Sequence, residues 1–114
     1  MTLIYKIVPS ALWREAEASG LFGGAPVDLA DGYIHFSTAA QAEETACRHF
    51  AGQADLLLVA VAAERLGHAL KWEVSRGGDL FPHLYALLAF ADVARVAPLP
   101  LQPSGRHDFT GLLA

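Results

Sequence analysis

The sequence contains a single cysteine, Cys47, among its 114 residues. One thiol cannot form a disulfide within the chain or a cluster of thiolate metal ligands. A reducing setting is the simplest interpretation of this scarcity, so we expect a cytoplasmic protein. Because Cys47 lies among alanines in a predicted helix, we interpret it as a buried, inert thiol rather than a reactive one.

Positive charge is also scarce. Eight Lys and Arg residues stand against 12 Asp and Glu residues, which gives a formal net charge of −4. The basic residues are scattered singly and form no stripe that would neutralise a phosphate backbone. This pattern argues against a nucleic-acid partner and favours a small-molecule or protein partner.

Long apolar runs are missing as well. No stretch reaches the roughly 18 residues that a membrane-spanning helix needs. The opening segment "MTLIYKIVPS" has no basic region followed by a long apolar run, so we expect no signal peptide. Apolar residues nevertheless make up 54% of the chain, enough for one core, and residues 1–114 are predicted to form a single domain. A mean hydropathy of +0.33 leaves room for a homodimer face.

The hydrophobic periodicity predicts two main helices. Ser10 is a suitable N-cap for the first, "ALWREAEAS", and Gly20 is placed to end it. Thr38-Ala39-Ala40-Gln41 has the form of a capping box, so the second helix should begin there and end near Phe50, with Ala42, Ala46, His49 and Phe50 facing inward. The glycine-rich segment between them, residues 20–32, is predicted to be a loop.

Five or six strands are expected in addition. The segment "LIYKIVP" alternates as a first strand, "DLLLVAVAA" is apolar enough for a central strand, and "LKWEVS" alternates again. Residues 83–100 supply one or two more. Because the regular strand–helix alternation stops after residue 61, the sequence predicts an α+β domain with a mixed or antiparallel sheet.

The segment "DGYIHFST", residues 31–38, is the first candidate site. It begins as a turn, continues as a strand with Tyr33, His35 and Ser37 on one face, and ends at the predicted cap Thr38. A helix N-terminus carries free N–H groups and a positive partial charge, which suits a phosphate or a carboxylate. Thr38 is also explained by capping alone, and His35 by either ligand contact or structural hydrogen bonding.

The segment "FPHLY", residues 81–85, is the second candidate. In an extended conformation Phe81, His83 and Tyr85 share one face, and an imidazole beside an aromatic ring suits a flat ring or a ribose. Glu73, on the face of "LKWEVS" opposite Trp72, is a third candidate, although an isolated glutamate on a strand is usually solvated.

Other combinations of these residues stay open. His35, His83 and Glu73 would make a two-histidine, one-carboxylate metal set, but no His-Glu-x-x-His motif supports a metal. Ser37, His83 and Asp31 would make a hydrolase triad, but the Gly-x-Ser-x-Gly elbow is missing. The same polar residues would also serve as a buried hydrogen-bond network.

Taken in order, "IYKI", Trp13, "DGYIHFST", "LKWE" and "FPHLY" resemble the DUF952 family of small bacterial proteins over about residues 4–98. The resemblance implies a compact relative of the ADP-ribosyltransferase superfamily, with a curved, split sheet and an NAD-sized cleft. NAD is then the implied substrate, and no cofactor is assigned.

The resemblance also implies roles for the candidate residues. His35 would hold the nicotinamide ribose, and Tyr33 or Tyr85 would sandwich the ring. Glu73 would stabilise positive charge on the ribose during cleavage.

Two further roles complete the implied mechanism. The helix start at Ser37 and Thr38 would receive a phosphate, and His83 would be a second hydrogen-bond donor or a general acid. Glu73 precedes His83 in the chain, whereas the superfamily glutamate follows the aromatic residues, which favours a non-catalytic binding module as the alternative.

Overall fold

A computed structural model describes residues 2–113 and, within them, an α+β fold with three α-helices and antiparallel sheets. The helices are Ser10–Glu17 (α1), Pro26–Asp31 (α2) and Ala39–His49 (α3). The strands are Leu3–Pro9 (β1), Leu21–Phe22 (β2), Ile34–His35 (β3), Ser37–Thr38 (β4), Leu56–Ala62 (β5), Leu70–Val74 (β6), Leu80–Leu84 (β7), Leu88–Ala89 (β8) and Val93–Leu99 (β9).

The strands form three sheets within the described residues. The largest has the order β4-β1-β5-β9, the second has the order β3-β7-β6, and β2 pairs with β8. Both β1 and β5 are interior, and their alternating apolar side chains are covered on both faces. This confirms the prediction that the most apolar segment is a central strand.

The two faces of the largest sheet are covered by different elements. On one face Ile4 and Val8 of β1 pack in a cluster with Trp13 of α1. Trp13 also stacks on Phe90, with ring centroids 4.3 Å apart and planes 5° from parallel. On the other face Tyr5 and Ile7 pack with Ala42 and Ala46 of α3.

The predicted cap of the second helix is confirmed, whereas that of the first is wrong. The Gln41 Oε1 accepts a hydrogen bond of 3.0 Å from the Thr38 N–H, and Thr38 and Gln41 form a capping box at the start of α3. At α1 the N-cap is Pro9, and Ser10 is already helical. Pro9 is both the last residue of β1 and the N-cap, with a φ of −55° and a ψ of 132° that are extended rather than helical.

The predicted loop over residues 20–32 is wrong. It contains β2 and the short helix α2, which begins at Pro26 and ends at Gly32 with a left-handed φ of 86°. Pro26 and Gly32, which indicated a loop, therefore mark the start and the C-cap of α2, a helix too short to show a hydrophobic period.

Two predictions for α3 also need correction. Ala42 and Ala46 are buried as expected, but His49 is exposed and Phe50 is only partly buried. Cys47, predicted to be buried, is exposed. The exposure of Cys47 follows from the helix period, because position 47 lies away from the stripe that contains 42 and 46. His49, seven residues after Ala42, shares that stripe by its spacing, but it is the last residue of α3.

The segment at residues 33–37 is not one continuous strand. It divides at Phe36, so that β3 joins the sheet of β7 while β4 joins the sheet of β1. The Phe36 N–H donates to the carbonyl of Pro82 over 3.0 Å, which draws the chain away from β1 at this point. The division leaves a cleft beside the C-terminal half of β1.

Candidate functional site

A buried carboxylate, that of Asp28 in α2, organises the site. Asp28 is only 2% exposed. Its Oδ1 lies 2.6 Å from the His35 Nδ1 and accepts the His35 backbone N–H over 3.1 Å. Its Oδ2 lies 3.0 Å from the Lys6 Nζ and accepts the Ala25 N–H over 2.8 Å. Asp28 therefore fixes β1, β3 and the start of α2 together.

The pKa values of Asp28 and Lys6 reflect both their burial and their pairing with each other. Burial alone would raise the pKa of Asp28, but the hydrogen bond from His35, the charge of Lys6 and the two backbone N–H groups lower that pKa to about 2. Burial lowers the pKa of Lys6, and the neighbouring carboxylate of Asp28 opposes this change. The Lys6 ammonium also donates to the His35 carbonyl over 3.1 Å.

Gly24 gives the carboxylate room to reach the Ala25 N–H. Its φ is 120°, and a Cβ at this position would lie 2.7 Å from the Cβ of Asp28. Both the backbone conformation and the close approach require glycine here.

A second carboxylate, that of Glu73 in β6, holds His83 of β7. The Glu73 Oε1 lies 2.8 Å from the His83 Nδ1 and accepts the Tyr85 hydroxyl over 2.7 Å. These hydrogen bonds, that from Tyr85 first, lower the pKa of Glu73, and the same contact raises the pKa of Tyr85 to about 12. Tyr85 is therefore a neutral donor at physiological pH. Unlike Asp28, the Glu73 side chain is 38% exposed.

The two histidines face each other around Tyr33. His35 and His83 are directly opposite in the β3–β7 pairing, with ring centroids 5.5 Å apart. Tyr33 stacks on His83 at 4.2 Å and lies 4.6 Å from His35 and 5.2 Å from Tyr85. Burial, and then the charges of Asp31, Glu73 and Asp28, raise the pKa of Tyr33. The candidate residues that we predicted to act together therefore form one cluster, which consists of Tyr33, His35, Glu73, His83 and Tyr85.

A cleft of about 670 Å³ lies beside this cluster, between β1, α3 and the start of α2. Its polar lining includes Lys6, His35, Ser37, Thr45 and His83. Its apolar lining includes Ile7, Pro9, Leu12, Val27, Phe50 and Phe81. Both imidazoles, each held at Nδ1 by a carboxylate, therefore reach a space of the size that small ligands occupy.

Five of the predicted residues contribute less directly. Glu73, Tyr33 and Tyr85 are outside the described lining of this cleft, behind His83. Thr38 is outside it as well and caps α3. The Ser37 hydroxyl is on the lining but lies 2.8 Å from the Thr45 hydroxyl, so it is anchored to α3.

The alternative constellations are not assembled. The predicted triad of Ser37, His83 and Asp31 fails because the Asp31 Oδ2 lies 2.9 Å from the His35 Nε2, and the Ser37 hydroxyl bonds Thr45. Among residues 2–113, no group of three or more His, Cys, Asp or Glu side chains is arranged to hold a metal ion. Instead, His35 bonds the carboxylates of Asp28 and Asp31, and His83 bonds that of Glu73.

Sequence reasoning missed Asp28 and Lys6. Asp28 was hidden in the segment interpreted as a loop, and Lys6 alternates with apolar residues as a solvated side chain would. The available signal was an isolated lysine on the face of β1 that also carries Ile4 and Val8, since a charge on such a face needs a buried partner.

The geometry defines a class of protein: an antiparallel α+β domain with a cleft at a divided strand and two carboxylate-held histidines on its wall. The profile of DUF952, described as a protein of unknown function, matches residues 7–96. The chain belongs to the DUF952 family.

Solved structures of one relative share the fold. The crystal structure of protein CC0527 from Caulobacter crescentus is 54% identical, with a TM-score of 0.92 and 96% of each chain covered. The solution NMR structure of the same protein is also 54% identical, has a TM-score of 0.88, and covers 100% of this chain and 98% of that chain. A search of the curated proteins finds no match. None of these descriptions names an activity or a ligand, so the likeness to ADP-ribosyltransferases stays a prediction.

No helix among residues 2–113 is long and apolar enough to cross a membrane.

Proposed function

We propose that the protein binds NAD or a related nucleotide in the cleft beside β1. The observation that carries the proposal is the pair His35 and His83 on the wall of a cleft of about 670 Å³, with each ring nitrogen Nδ1 within 2.8 Å of a carboxylate oxygen. A carboxylate at Nδ1 fixes the orientation of an imidazole, so the ring meets a ligand without further ordering.

The lining suits a ligand with both polar and apolar parts. In the part of the chain that the structure describes, His83 is hydrogen-bonded through Nδ1, so its Nε2 can bond a ribose or phosphate oxygen, and the Ser37 hydroxyl, which donates to Thr45, can still accept from a ribose hydroxyl. The apolar lining residues Leu12, Val27 and Phe50 suit a planar base. The ADP-ribosyltransferase-like architecture belongs to this proposal, supported by the division of the strand at Phe36 that opens the cleft.

Thermal-shift measurements with NAD, ADP-ribose and adenine mononucleotides test the proposal. A ligand at about 100 times its Kd adds about 2.7 kcal/mol to the folded state, so at least one nucleotide should raise the melting temperature by several degrees. His83→Gln should abolish this shift, whereas the matched variant His68→Gln, at an exposed histidine outside the cleft lining, should keep it. If no nucleotide shifts the melting temperature, the cluster is a structural hydrogen-bond network and the proposal fails.

Hydrolysis of the nicotinamide–ribose bond of NAD is a second candidate. It is favoured by the contact between the Glu73 carboxylate and the Nδ1 of His83, 2.8 Å apart, because such a pair can hold and move a proton at the wall of the cleft. The reaction consumes NAD and water and yields nicotinamide, ADP-ribose and a proton. His83, which lines the cleft, would act as the general acid or base, and Glu73, which bonds the His83 Nδ1 from outside the lining, would orient that ring and stabilise its protonated form.

A nicotinamide-release assay separates the two candidates. If the cleft is catalytic, wild-type protein releases nicotinamide from NAD, and Glu73→Gln reduces the rate by at least about 100-fold. Binding of NAD without release by the wild type assigns the cleft to binding alone.

A further inference from the structure

Within residues 2–113, one stretch of strand edge that borders the cleft has no paired strand. In β1 the residues Ile4 and Tyr5 pair with Thr38 and Ser37 of β4, and the pairing stops there. On its other side β1 pairs with β5 without interruption from Leu3 to Pro9. Ile7 therefore has a neighbouring strand on one side only, and its open side faces the cleft, whose lining includes Ile7.

The backbone direction of Ile7 follows from the alternation of antiparallel pairing. The Ala63 N–H donates to the Thr2 carbonyl, and the Ser10 N–H donates to the Asp55 carbonyl. Residues with even numbers along β1 thus direct their N–H and C=O groups toward β5, because these groups alternate sides along a strand. The N–H and C=O of Ile7 accordingly point away from β5, into the cleft.

Pro9 supports this assignment. It lies in β1 opposite Leu56 and has the same parity as Ile7. Proline has no N–H, and within a sheet it is found where that group would face an open edge. The sequence therefore places a proline where the side of β1 that faces the cleft is unpaired.

The groups that would complete the pairing at Ile7 are engaged elsewhere. Continuing the register of Tyr5 with Ser37 would place His35 opposite Ile7. The His35 N–H instead donates to the Asp28 Oδ1 over 3.1 Å, and the His35 carbonyl accepts from the Lys6 Nζ over 3.1 Å. Ile7 is only 5% exposed, and a buried backbone N–H without a partner is uncommon.

We propose that the free edge at Ile7 is a subsite that recognises an amide group of the bound molecule. The Ile7 N–H donates to the amide oxygen, and the Ile7 C=O accepts from an amide N–H, as one residue of an added antiparallel strand would. A primary carboxamide and a peptide residue both present this donor and acceptor. The subsite rests on the proposed small-molecule function of the cleft and specifies which chemical group of the ligand β1 recognises.

Protein NMR with matched probes tests the subsite directly. Nicotinamide is compared with methyl nicotinate for a carboxamide, and N-acetylalanine N-methylamide with its depsipeptide, in which oxygen replaces the alanine N–H, for a peptide. We expect one of the two amides to move the Ile7 N–H resonance downfield, with its ester binding roughly tenfold more weakly. Which amide does so identifies the source. The N–H of Val8, which faces β5, is the internal control and should not move.

Variants at the same position sharpen the test. Ile7→Pro removes the free N–H while keeping the bonds to β5, and should abolish amide binding. Ile7→Val keeps the N–H and should bind as the wild type does. If Ile7→Pro does not fold, the wild-type titrations still decide the matter.

The outcomes separate this inference from the proposed function. An Ile7 resonance unmoved by either amide, or moved equally by amide and ester, overturns the subsite. If NAD still raises the melting temperature in that case, the nucleotide proposal survives without the subsite. If the amides move Ile7 but no nucleotide binds, the subsite stands and the ligand class is wrong.

Discussion

The two carboxylate–histidine pairs look alike in their contacts but differ in their surroundings. Asp28 is 2% exposed and is bonded by Lys6, His35 and the Ala25 N–H, whereas the Glu73 side chain is 38% exposed and bonded by His83 and Tyr85. A buried ion pair cannot lose one partner without leaving the other charge in a medium of low polarity. A half-exposed carboxylate can be replaced because water solvates what remains. The first pair therefore holds the fold together at the cleft. The second pair orients His83, and its removal should lower the stability of the fold little.

Removal of the buried carboxylate should have the largest effect. Asp28→Leu leaves the buried Lys6 ammonium without a counter-charge, which should lower the free energy of unfolding by about 3–5 kcal/mol in urea denaturation. Glu73→Gln, the matched change in the exposed pair, should move the urea midpoint little.

A double variant separates the charge from the packing. Adding Lys6→Met to Asp28→Leu removes the orphaned charge, so a substantial part of the lost stability should return. Equal urea midpoints for Asp28→Leu and Glu73→Gln would contradict the distinction drawn between the two pairs.

Gly24→Ala tests the close approach that lets Asp28 reach its donors. The added methyl group would lie 2.7 Å from the Asp28 Cβ at a φ of 120°, so we expect a loss of about 2–3 kcal/mol in thermal or urea unfolding. Gly32→Ala is the control because its φ is 86° but nothing lies within 4 Å of the new Cβ, so only the backbone cost of about 1 kcal/mol applies. A Gly24→Ala variant no less stable than Gly32→Ala would refute the crowding at Asp28.

Acid should weaken the buried pair in a defined range. The folded-state pKa of Asp28 is about 2, below its ordinary value of 3.8, so the unfolded chain takes up this proton first as the pH falls. The contribution of Asp28 is complete above about pH 4 and disappears as the pH falls through about 2. Urea unfolding at several pH values should show a steeper loss of stability in this range for the wild type than for Asp28→Asn. Parallel curves would show that another group controls the acid transition.

The exposed pair should be visible in tyrosine titration, with the smallest effect on stability. The hydrogen bond to Glu73 raises the pKa of Tyr85 to about 12. Glu73→Gln removes the negative acceptor, so one tyrosine should titrate nearer its usual pKa of about 10 in the ultraviolet absorbance of tyrosinate. Tyr85→Phe in the same background should remove that early-titrating group; its persistence would mean that another tyrosine had been shifted.

Local patterns in the sequence were sufficient for several elements. The alternation of β1, the apolar run of β5 and the capping box at Thr38 each follow from interactions within a few residues, and each is found in the structure. The ordered motifs also indicated the family and brought Tyr33, His35, Glu73, His83 and Tyr85 together as candidates. Local sequence signals predict such features because their cause is local.

Local patterns therefore specify the α+β class, the position of the principal strands and of α3, and the residue types available for a site. Three further features depend on tertiary contacts. The strand at residues 33–37 divides at Phe36, α2 brings Asp28 to Lys6 and His35, and Ile7 keeps an open edge in the cleft. The physical reason is that a buried charge and an unpaired strand edge depend on which distant segments meet them. The periodicity of one segment gives no information on these contacts, because hydrogen bonds and desolvation act across space rather than along the chain.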